Sequence, residues 1–260
     1  MLCDTHAHLD DEQFENSHAE VIQRAEQAGV TTIVTVGTTA DSSGTSVRLA
    51  QTFPAVYAAV GIQPNHVSQA AAGDWDRIVA LADLPRVVAL GETGLDRYWD
   101  FAPFALQQDY FDRHLQLAQA RDLPVVIHMR DCAEDLLPML VEARRRGPLR
   151  GVLHSFTGDA ETARQCLELG LYVSFAGMVT FKKSQALREV ARTIPRDRIL
   201  IETDSPYLAP EPQRGRRPNE PAWLVHTATR LAEVCDTDLA SFAGWTSANA
   251  ARLFRFPERA

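Results

Sequence analysis

No stretch of the 260-residue sequence approaches the ~20 consecutive apolar residues that a membrane-crossing helix needs. The opening residues, Met1-Leu2-Cys3-Asp4-Thr5-His6, carry no basic segment ahead of an apolar one, so the pattern of a secretory leader is missing. Both absences lead us to expect a soluble, cytoplasmic protein with no membrane partner. Cysteine is scarce and scattered. Cys3, Cys132, Cys166 and Cys235 form no C-x-x-C pair, which excludes zinc-finger and thioredoxin-like centres and suits reduced, buried thiols. Positive charge is in deficit as well, with a formal net charge of −8. A protein that coats nucleic acid would instead carry a clustered positive surface. Lysine is almost absent, since only Lys182 and Lys183 break a basic set of 26 that is otherwise arginine. Genomic base composition accounts for that bias, although arginine also suits bidentate contacts to phosphate. Finally, no G-x-G-x-x-G follows the first apolar run, which removes the main support for a dinucleotide-binding sheet.

What is present is a globular composition, 45% hydrophobic and 23% charged, with enough chain to bury a large core. Short apolar, β-branched runs alternate with amphipathic stretches. The runs predict strands at Leu2–Thr5, Thr32–Val36, Val56–Gly61, Val87–Gly91, Val125–Ile127, Gly151–Leu153, Tyr172–Phe175 and Ile199–Ile201. The stretches predict helices, clearest at Phe104–Arg121 and Ala133–Arg146. Gly29, Gly147 and Gly170 stand where helix C-caps belong. Eight strands about 28 residues apart, each followed by a helix, predict an α/β fold of the (β/α)8 TIM-barrel type. The tail from Asp236 to Ala260 predicts a further helix, around Ala248–Phe254, that closes the barrel.

In such a barrel the C-terminal strand ends converge on the active site. The first strand delivers His6-Ala7-His8, and residues two apart on a strand face the same way. The fourth delivers Glu92, the fifth His128, the sixth His154, and the eighth Glu202-Thr203-Asp204. One histidine at a strand end is more often a hydrogen-bonding structural residue than a ligand. Four of the chain's eight histidines in one ring with Glu92 and Asp204 point to a metal site. Imidazole with carboxylate suits Zn²⁺, Mn²⁺, Fe²⁺ or Co²⁺, whereas Mg²⁺ prefers mostly oxygen donors. Six ligands exceed what one catalytic zinc uses, so two ions bridged by a carboxylate is the natural count. Of the other histidines, His18, His114 and His226 fall in helical stretches and are expected to face solvent; His66, after the third strand, could reach a substrate.

These residues sit in recognisable motifs: Asp4-Thr5-His6-Ala7-His8-Leu9-Asp10, Gly61-Ile62-Gln63-Pro64, Gly91-Glu92-Thr93-Gly94-Leu95-Asp96, His128-Met129-Arg130-Asp131, His154-Ser155-Phe156-Thr157-Gly158 and Glu202-Thr203-Asp204-Ser205-Pro206-Tyr207-Leu208. Asn219-Glu220-Pro221 and Asn249-Ala250-Ala251-Arg252-Leu253-Phe254 follow in order. Together they resemble the TatD-type metal-dependent deoxyribonucleases of the amidohydrolase superfamily. The resemblance implies a single barrel domain over residues 1–260, a two-metal centre (Mg²⁺, Mn²⁺ or Zn²⁺), and hydrolysis of DNA phosphodiesters, often 3′→5′ from single-stranded ends. Carried over by motif, it implies that His6, His8, Glu92 and Asp204 hold one ion. Glu92, His128 and His154 would hold the other, with Glu92 bridging. Many amidohydrolases bridge their ions with a carbamylated lysine, but the only lysines here follow the seventh strand. The chain departs from the family pattern at Gln63, Asn65 and Gln213, where members often have histidine. None of these is a ligand in the pattern, so the departures bear on substrate preference.

The residues also suggest roles. Asp204 is the candidate to orient or deprotonate a water, and Asp96 and Glu202 are candidates to orient the imidazoles. Arg130, His66, Arg214 and Asn219 are the candidate substrate contacts, with Arg216 and Arg217 beside Arg214. Arg97, Tyr98 and Trp99 follow Asp96, where an aromatic could either stack on a terminal base or pack the loop. A hydrolase of small esters, lactones or cyclic amides would use the same centre and is the competing enzyme reading. A non-catalytic binding module is disfavoured by the complete ligand set.

Overall fold

A computed structural model describes residues 1–256; the last residues of the tail and of the 1–260 span lie outside the described residues. The strands are β1 (Leu2–Ala7), β2 (Val30–Val36), β3 (Val56–Val60), β4 (Val87–Asp96), β5 (Val125–Arg130), β6 (Gly151–Leu153), β7 (Tyr172–Phe175) and β8 (Ile199–Ile201). The helices are α1 (His18–Gln27), α2 (Ala40–Thr52), α3 (Asp74–Ala82), α4 (Phe104–Arg121), α5 (Ala133–Arg146), α6 (Ala160–Glu168), α7 (Gln185–Thr193), α8 (Leu224–Val234) and α9 (Leu239–Phe254). The strands pair in chain order, all parallel, in one eight-stranded sheet. The expected (β/α)8 barrel is therefore the observed fold. No helix among the described residues is long and apolar enough to cross a membrane.

The seam between the first and last strands closes through a bridge from Ala7 to Ser205. Polar side chains reinforce it. Asp4 accepts from the Thr203 amide at 2.9 Å and its hydroxyl at 2.6 Å, and the Thr5 hydroxyl donates to the Ile201 carbonyl at 2.9 Å. Alternate residues of the buried strands divide between two cores. Ile33, Val56, Val60, Val125 and Ile127 pack outward against the helices. Val34, Tyr57, Ala59, Val88, Val126, Val152 and Leu200 form the interior, as the two-residue side-chain period requires. Leu253 and Phe254 at the end of α9 join that interior core, so the last helix plugs the barrel. It begins nine residues earlier than the sequence suggests. Asp238 caps it by accepting from the Ser241 amide at 2.9 Å. Gly244, Thr246 and Ser247 are poor helix formers that conceal this first half.

β4 is also longer than expected, running on to Asp96. Its register against β5 shifts between Leu90 and Thr93, the mark of a bulge that re-aims side chains. Glycine is required there. Gly94 has φ 136°, and a Cβ on it would lie 2.0 Å from the His128 carbonyl oxygen. Gly91, at φ 137°, would bring one to 2.6 Å from the Val126 carbonyl. Neither conformation nor spacing admits a side chain.

Expected to face solvent, His114 is instead fully buried on α4. Its Nδ1 donates to the Tyr110 carbonyl at 2.7 Å, and its Nε2 accepts from the Ile62 amide at 3.1 Å. The inward face of α4 carries it toward β3, which polarity alone does not reveal. His18 and His226 are half-buried, and the His18 Nε2 lies 2.8 Å from the Leu9 carbonyl. A second proton on His114 would face the Ile62 N–H, donor against donor. Burial, helped by the nearby Arg113 charge, outweighs the bond to the Tyr110 carbonyl and pushes its pKa from 6.5 down to about 4. In the unfolded chain the imidazole titrates near 6.5, so its contribution to stability is complete above that pH. That contribution is lost as pH falls from 6.5 toward 4, by about 3 kcal/mol at most. Urea melts at pH 7 and 4.5 should show a larger loss for the wild type than for His114→Gln. Equal losses would refute the linkage.

Candidate metal centre

Six side chains meet at the C-terminal end of the barrel, each delivered by a strand end. His6 and His8 come from β1 and the residue after it, and their Nε2 atoms are 3.1 Å apart. The His6 Nε2 lies 3.6 Å from Glu92 Oε2 and 3.6 Å from Asp204 Oδ1. The His8 Nε2 lies 3.6 and 3.5 Å from the same two oxygens. On the other side of Glu92, Oε1 is 2.9 Å from His128 Nδ1 and 3.1 Å from His154 Nε2. Those two nitrogens are 3.4 Å apart. A cation with ligand bonds of ~2.0–2.2 Å in tetrahedral geometry separates its donors by about 3.3–3.6 Å. The first set has these separations except between His6 and His8, at 3.1 Å. The second is drawn tighter, at 2.9–3.4 Å, and the two share one buried carboxylate.

The outer nitrogens are held so that the inner ones face the centre. The His8 Nδ1 bonds the Val36 carbonyl at 2.8 Å. Asp96 Oδ2 takes the His128 Nε2 at 2.9 Å, and Glu202 Oε1 takes the His154 Nδ1 at 3.3 Å. Asp96 is braced in turn by the amides of Tyr98 (2.8 Å) and Trp99 (3.0 Å) and by the Asn65 Nδ2 (3.0 Å). Burial opposes the Asp96 charge, but the bonds from His128, the Trp99 amide and Asn65 outweigh it and bring its pKa down to about 2. Glu202 is fixed by the Ser155 amide at 2.8 Å. Such outer bonds set the tautomer and the aim of a ligating imidazole. The ligand atoms of His6, His8 and Glu92 lie within 4.8 Å of one another, as do those of Glu92, His128 and His154, and those of His6, His154 and Glu202. Buried without a partner among the described residues are His6 Nδ1 and Glu202 Oε2.

The electrostatics suit a cation. Burial alone would raise the Glu92 pKa, yet the charge of His154 and bonds from His128, His154 and His6 hold it well below the usual carboxylate range. Burial likewise opposes Asp204, and His8 and His6 overcome it. On the other side of each pair, burial lowers the His8 pKa less than Asp204 and Glu92 raise it, to about 9. Cations and protons thus compete for the same lone pairs.

The centre forms the floor of an open cavity of about 640 Å³, within the range of small-molecule sites. Arg130, His66, Gln63 and Asn65 line it, with Trp99 and Tyr207 among the aromatic residues on its walls. No carboxylate pairs with the Arg130 guanidinium among the described residues; it lies over the Tyr98 ring, 3.7 Å from the centroid. Gln63 caps the turn after β3 by accepting from the Asn65 amide at 2.8 Å. Asn65 supports Asp96, a role the sequence did not indicate. Two expected substrate contacts lie elsewhere. Asn219 is fully buried; its amide group donates to the carbonyls of Thr203 (3.0 Å) and Tyr207 (2.5 Å), and its oxygen accepts from the Glu220 amide (3.0 Å). It braces the loop after β8, both of its N–H donors are spent on that loop, and it does not line the cavity. Arg214 is outside the cavity, its guanidinium 4.2 Å from the Phe181 ring centroid and 4.0 Å from Glu211. Arg97, the first residue of the loop beyond β4, pairs with Asp135 at 2.6 Å.

A family model of TatD-related DNases matches residues 3–255. The chain belongs to this family. Among its TatD relatives, it is 40% identical over 255 residues to the uncharacterized metal-dependent hydrolase YabD of Bacillus subtilis, covering 98% of this chain and 99% of the relative. It is 39% identical over 257 residues to the 3′-5′ ssDNA/RNA exonuclease TatD of Citrobacter rodentium, covering 97% of each. The crystal structure of YjjV, a TatD homolog from Escherichia coli K12, superposes with a TM-score of 0.92 at 29% identity, covering 98% of each chain. The present chain is thus a metal-dependent hydrolase of the TatD family, and the motif resemblance extends to the whole described barrel.

Proposed function

We propose that this TatD-family hydrolase cleaves phosphodiester bonds of DNA, trimming single strands from the 3′ end with two divalent ions. The carrying observation is that the two oxygens of Glu92 each face a separate set of donors on the floor of an open cavity. His6, His8, Glu92 and Asp204 would hold one ion. Glu92, His128 and His154 would hold the other. Mg²⁺, Mn²⁺ and Zn²⁺ are the candidates, and the nitrogen-rich donor set favours Mn²⁺ or Zn²⁺. Bound there, such ions supply a water of lowered pKa and neutralise phosphate oxygens.

The chain's own residues do the rest. Asp204, on the cavity floor with its carboxylate 14% exposed, accepts the proton of the attacking water. Arg130, without a carboxylate partner among the described residues, binds a non-bridging phosphate oxygen and fixes the diester in line for attack. Asp96 and Glu202 keep His128 and His154 aimed inward, and His66 stands on the cavity wall to meet the substrate. The name of the Citrobacter rodentium relative supports the choice of a single-stranded nucleic acid. Residues 1–260 then act as one catalytic domain. Four free cysteines, three of them buried, suit a reducing cytoplasm.

The test is turnover of 3′- and 5′-labelled single-stranded DNA and RNA with Mg²⁺, Mn²⁺ or Zn²⁺, beside a panel of small esters and lactones. Stepwise shortening from the 3′ end of DNA is expected. Turnover confined to esters or lactones overturns the reading.

A further inference from the structure

We propose that the loop after β4 is a base-stacking ledge, with Trp99 receiving a nucleobase that flanks the scissile phosphate. The inference rests on the phosphodiesterase reading and assigns to that reaction the residue that grips the substrate's bases. Three aromatic side chains of this loop are open to solvent, Tyr98 at 54%, Trp99 at 43% and Phe101 at 59%. Large apolar side chains so exposed, side by side, mark a binding surface more often than a packing one. Loop packing, the competing role, would have buried them.

Their arrangement is ordered. Trp99 and Phe101 stack with centroids 5.1 Å apart and planes 9° from parallel, and Tyr98 meets Trp99 edge-on at 4.8 Å. The backbone beneath is fixed, because the Tyr98 and Trp99 amides both donate to Asp96, which also holds His128. The ledge is thereby tied to the metal centre through a single carboxylate. Trp99 lines the cavity that contains Glu92 and His128, whereas Phe101 lies beyond its lining. The platform thus runs from the cavity wall outward, along the path a strand takes from the centre to solvent. Arg130 sits between ledge and centre, its guanidinium over Tyr98 at 3.7 Å and near Trp99 at 5.7 Å. A phosphate on Arg130 has a flanking base within reach of Trp99. A nucleobase is the occupant that fits a flat aromatic face beside the Arg130 guanidinium, and stacking is indifferent to base identity.

The experiment compares wild type, Trp99→Ala and Trp99→Phe, all metal-replete, on two single-stranded DNA oligonucleotides. One has natural bases; the other has abasic sugars at the last two 3′ positions. On the natural substrate Trp99→Ala should raise KM by about 10-fold or more, with kcat nearly unchanged, and Trp99→Phe should restore most of the loss. On the abasic substrate all three proteins should match, each as weak as Trp99→Ala on the natural one. Equal KM values for Trp99→Ala and wild type on the natural strand overturn the ledge, as does an equal loss on both substrates. If the wild type hydrolyses neither oligonucleotide nor a longer single strand, the nuclease reading fails and the ledge fails with it.

Discussion

Replacing Glu92 with glutamine should leave a folded barrel that binds at most one divalent ion weakly and loses at least about 10³-fold in kcat. The expectation follows from where the two carboxylate oxygens lie. Oε1 is 2.9 Å from His128 Nδ1 and 3.1 Å from His154 Nε2, while Oε2 is 3.6 Å from both His6 and His8. One substitution therefore removes an anionic donor from each set. The side-chain volume is conserved, so the barrel has no cavity to collapse. The amide also turns an N–H toward one of the sets, where it opposes a cation. His128 and His154 lose the negative partner that bonds them, so a remaining ion on that side keeps only two neutral donors. Metal content by mass spectrometry, circular dichroism and turnover on single-stranded DNA are the measurements. Two equivalents of metal with turnover within tenfold of wild type would remove Glu92 from the bridging position.

The arrangement around Glu92 was legible in the sequence to an unequal degree. Strand identity was clear, because strands buried on both faces read as unbroken apolar runs. The pairing of His6 with His8 followed from the two-residue period of a strand. The structure places Glu92 beside the four imidazoles, but by a route the sequence did not display. Gly91 and Gly94 look like the end of a strand, whereas the chain continues through them as a bulge to Asp96. A bulge depends on partner register, which one sequence does not display. Burial of polar groups was the other blind spot. His114 and Asn219 are polar and were assigned to solvent and substrate, yet both are fully buried with their hydrogen bonds satisfied. Such residues obey local bonding rules that appear only when the partner backbone arrives from elsewhere. Arg214 illustrates the same limit. It belongs to the long loop after β8, and sequence distance from Asp204 says nothing about which way that loop travels. Instead the loop leans on the segment after β7, where the Glu211 amide donates to the Thr180 hydroxyl at 2.8 Å.

Asp204→Asn should lower kcat by about 10²–10⁴-fold even at saturating metal, the range typical of losing a general base. Two roles meet in this residue, and the substitution separates them. As a ligand, Asp204 completes the first set, with Oδ1 3.5 Å from His8 Nε2 and 3.6 Å from His6 Nε2. As a base, it presents the most open carboxylate of the centre to the cavity. Asparagine keeps a donor oxygen for a metal but cannot take a proton. It also tolerates the left-handed backbone found here, φ 54°, so the amide of residue 204 should still donate to the His6 carbonyl, as it does now at 2.9 Å. The loop, and with it the seam between β1 and β8, should therefore survive. If excess metal restores kcat to the wild-type value, Asp204 serves only to hold an ion, and the proton of the attacking water goes elsewhere. If the loss persists at full metal occupancy, a readout in the pH profile should accompany it. The wild-type rate should rise with pH as the Asp204 carboxyl ionises: without metal, His8 and His6 already hold it below the ordinary carboxylate range against the cost of burial, and a bound cation would act in the same direction. In Asp204→Asn that acid limb should disappear from kcat, leaving a flat profile where the wild type climbs. A retained limb of unchanged midpoint would assign the proton transfer to another group.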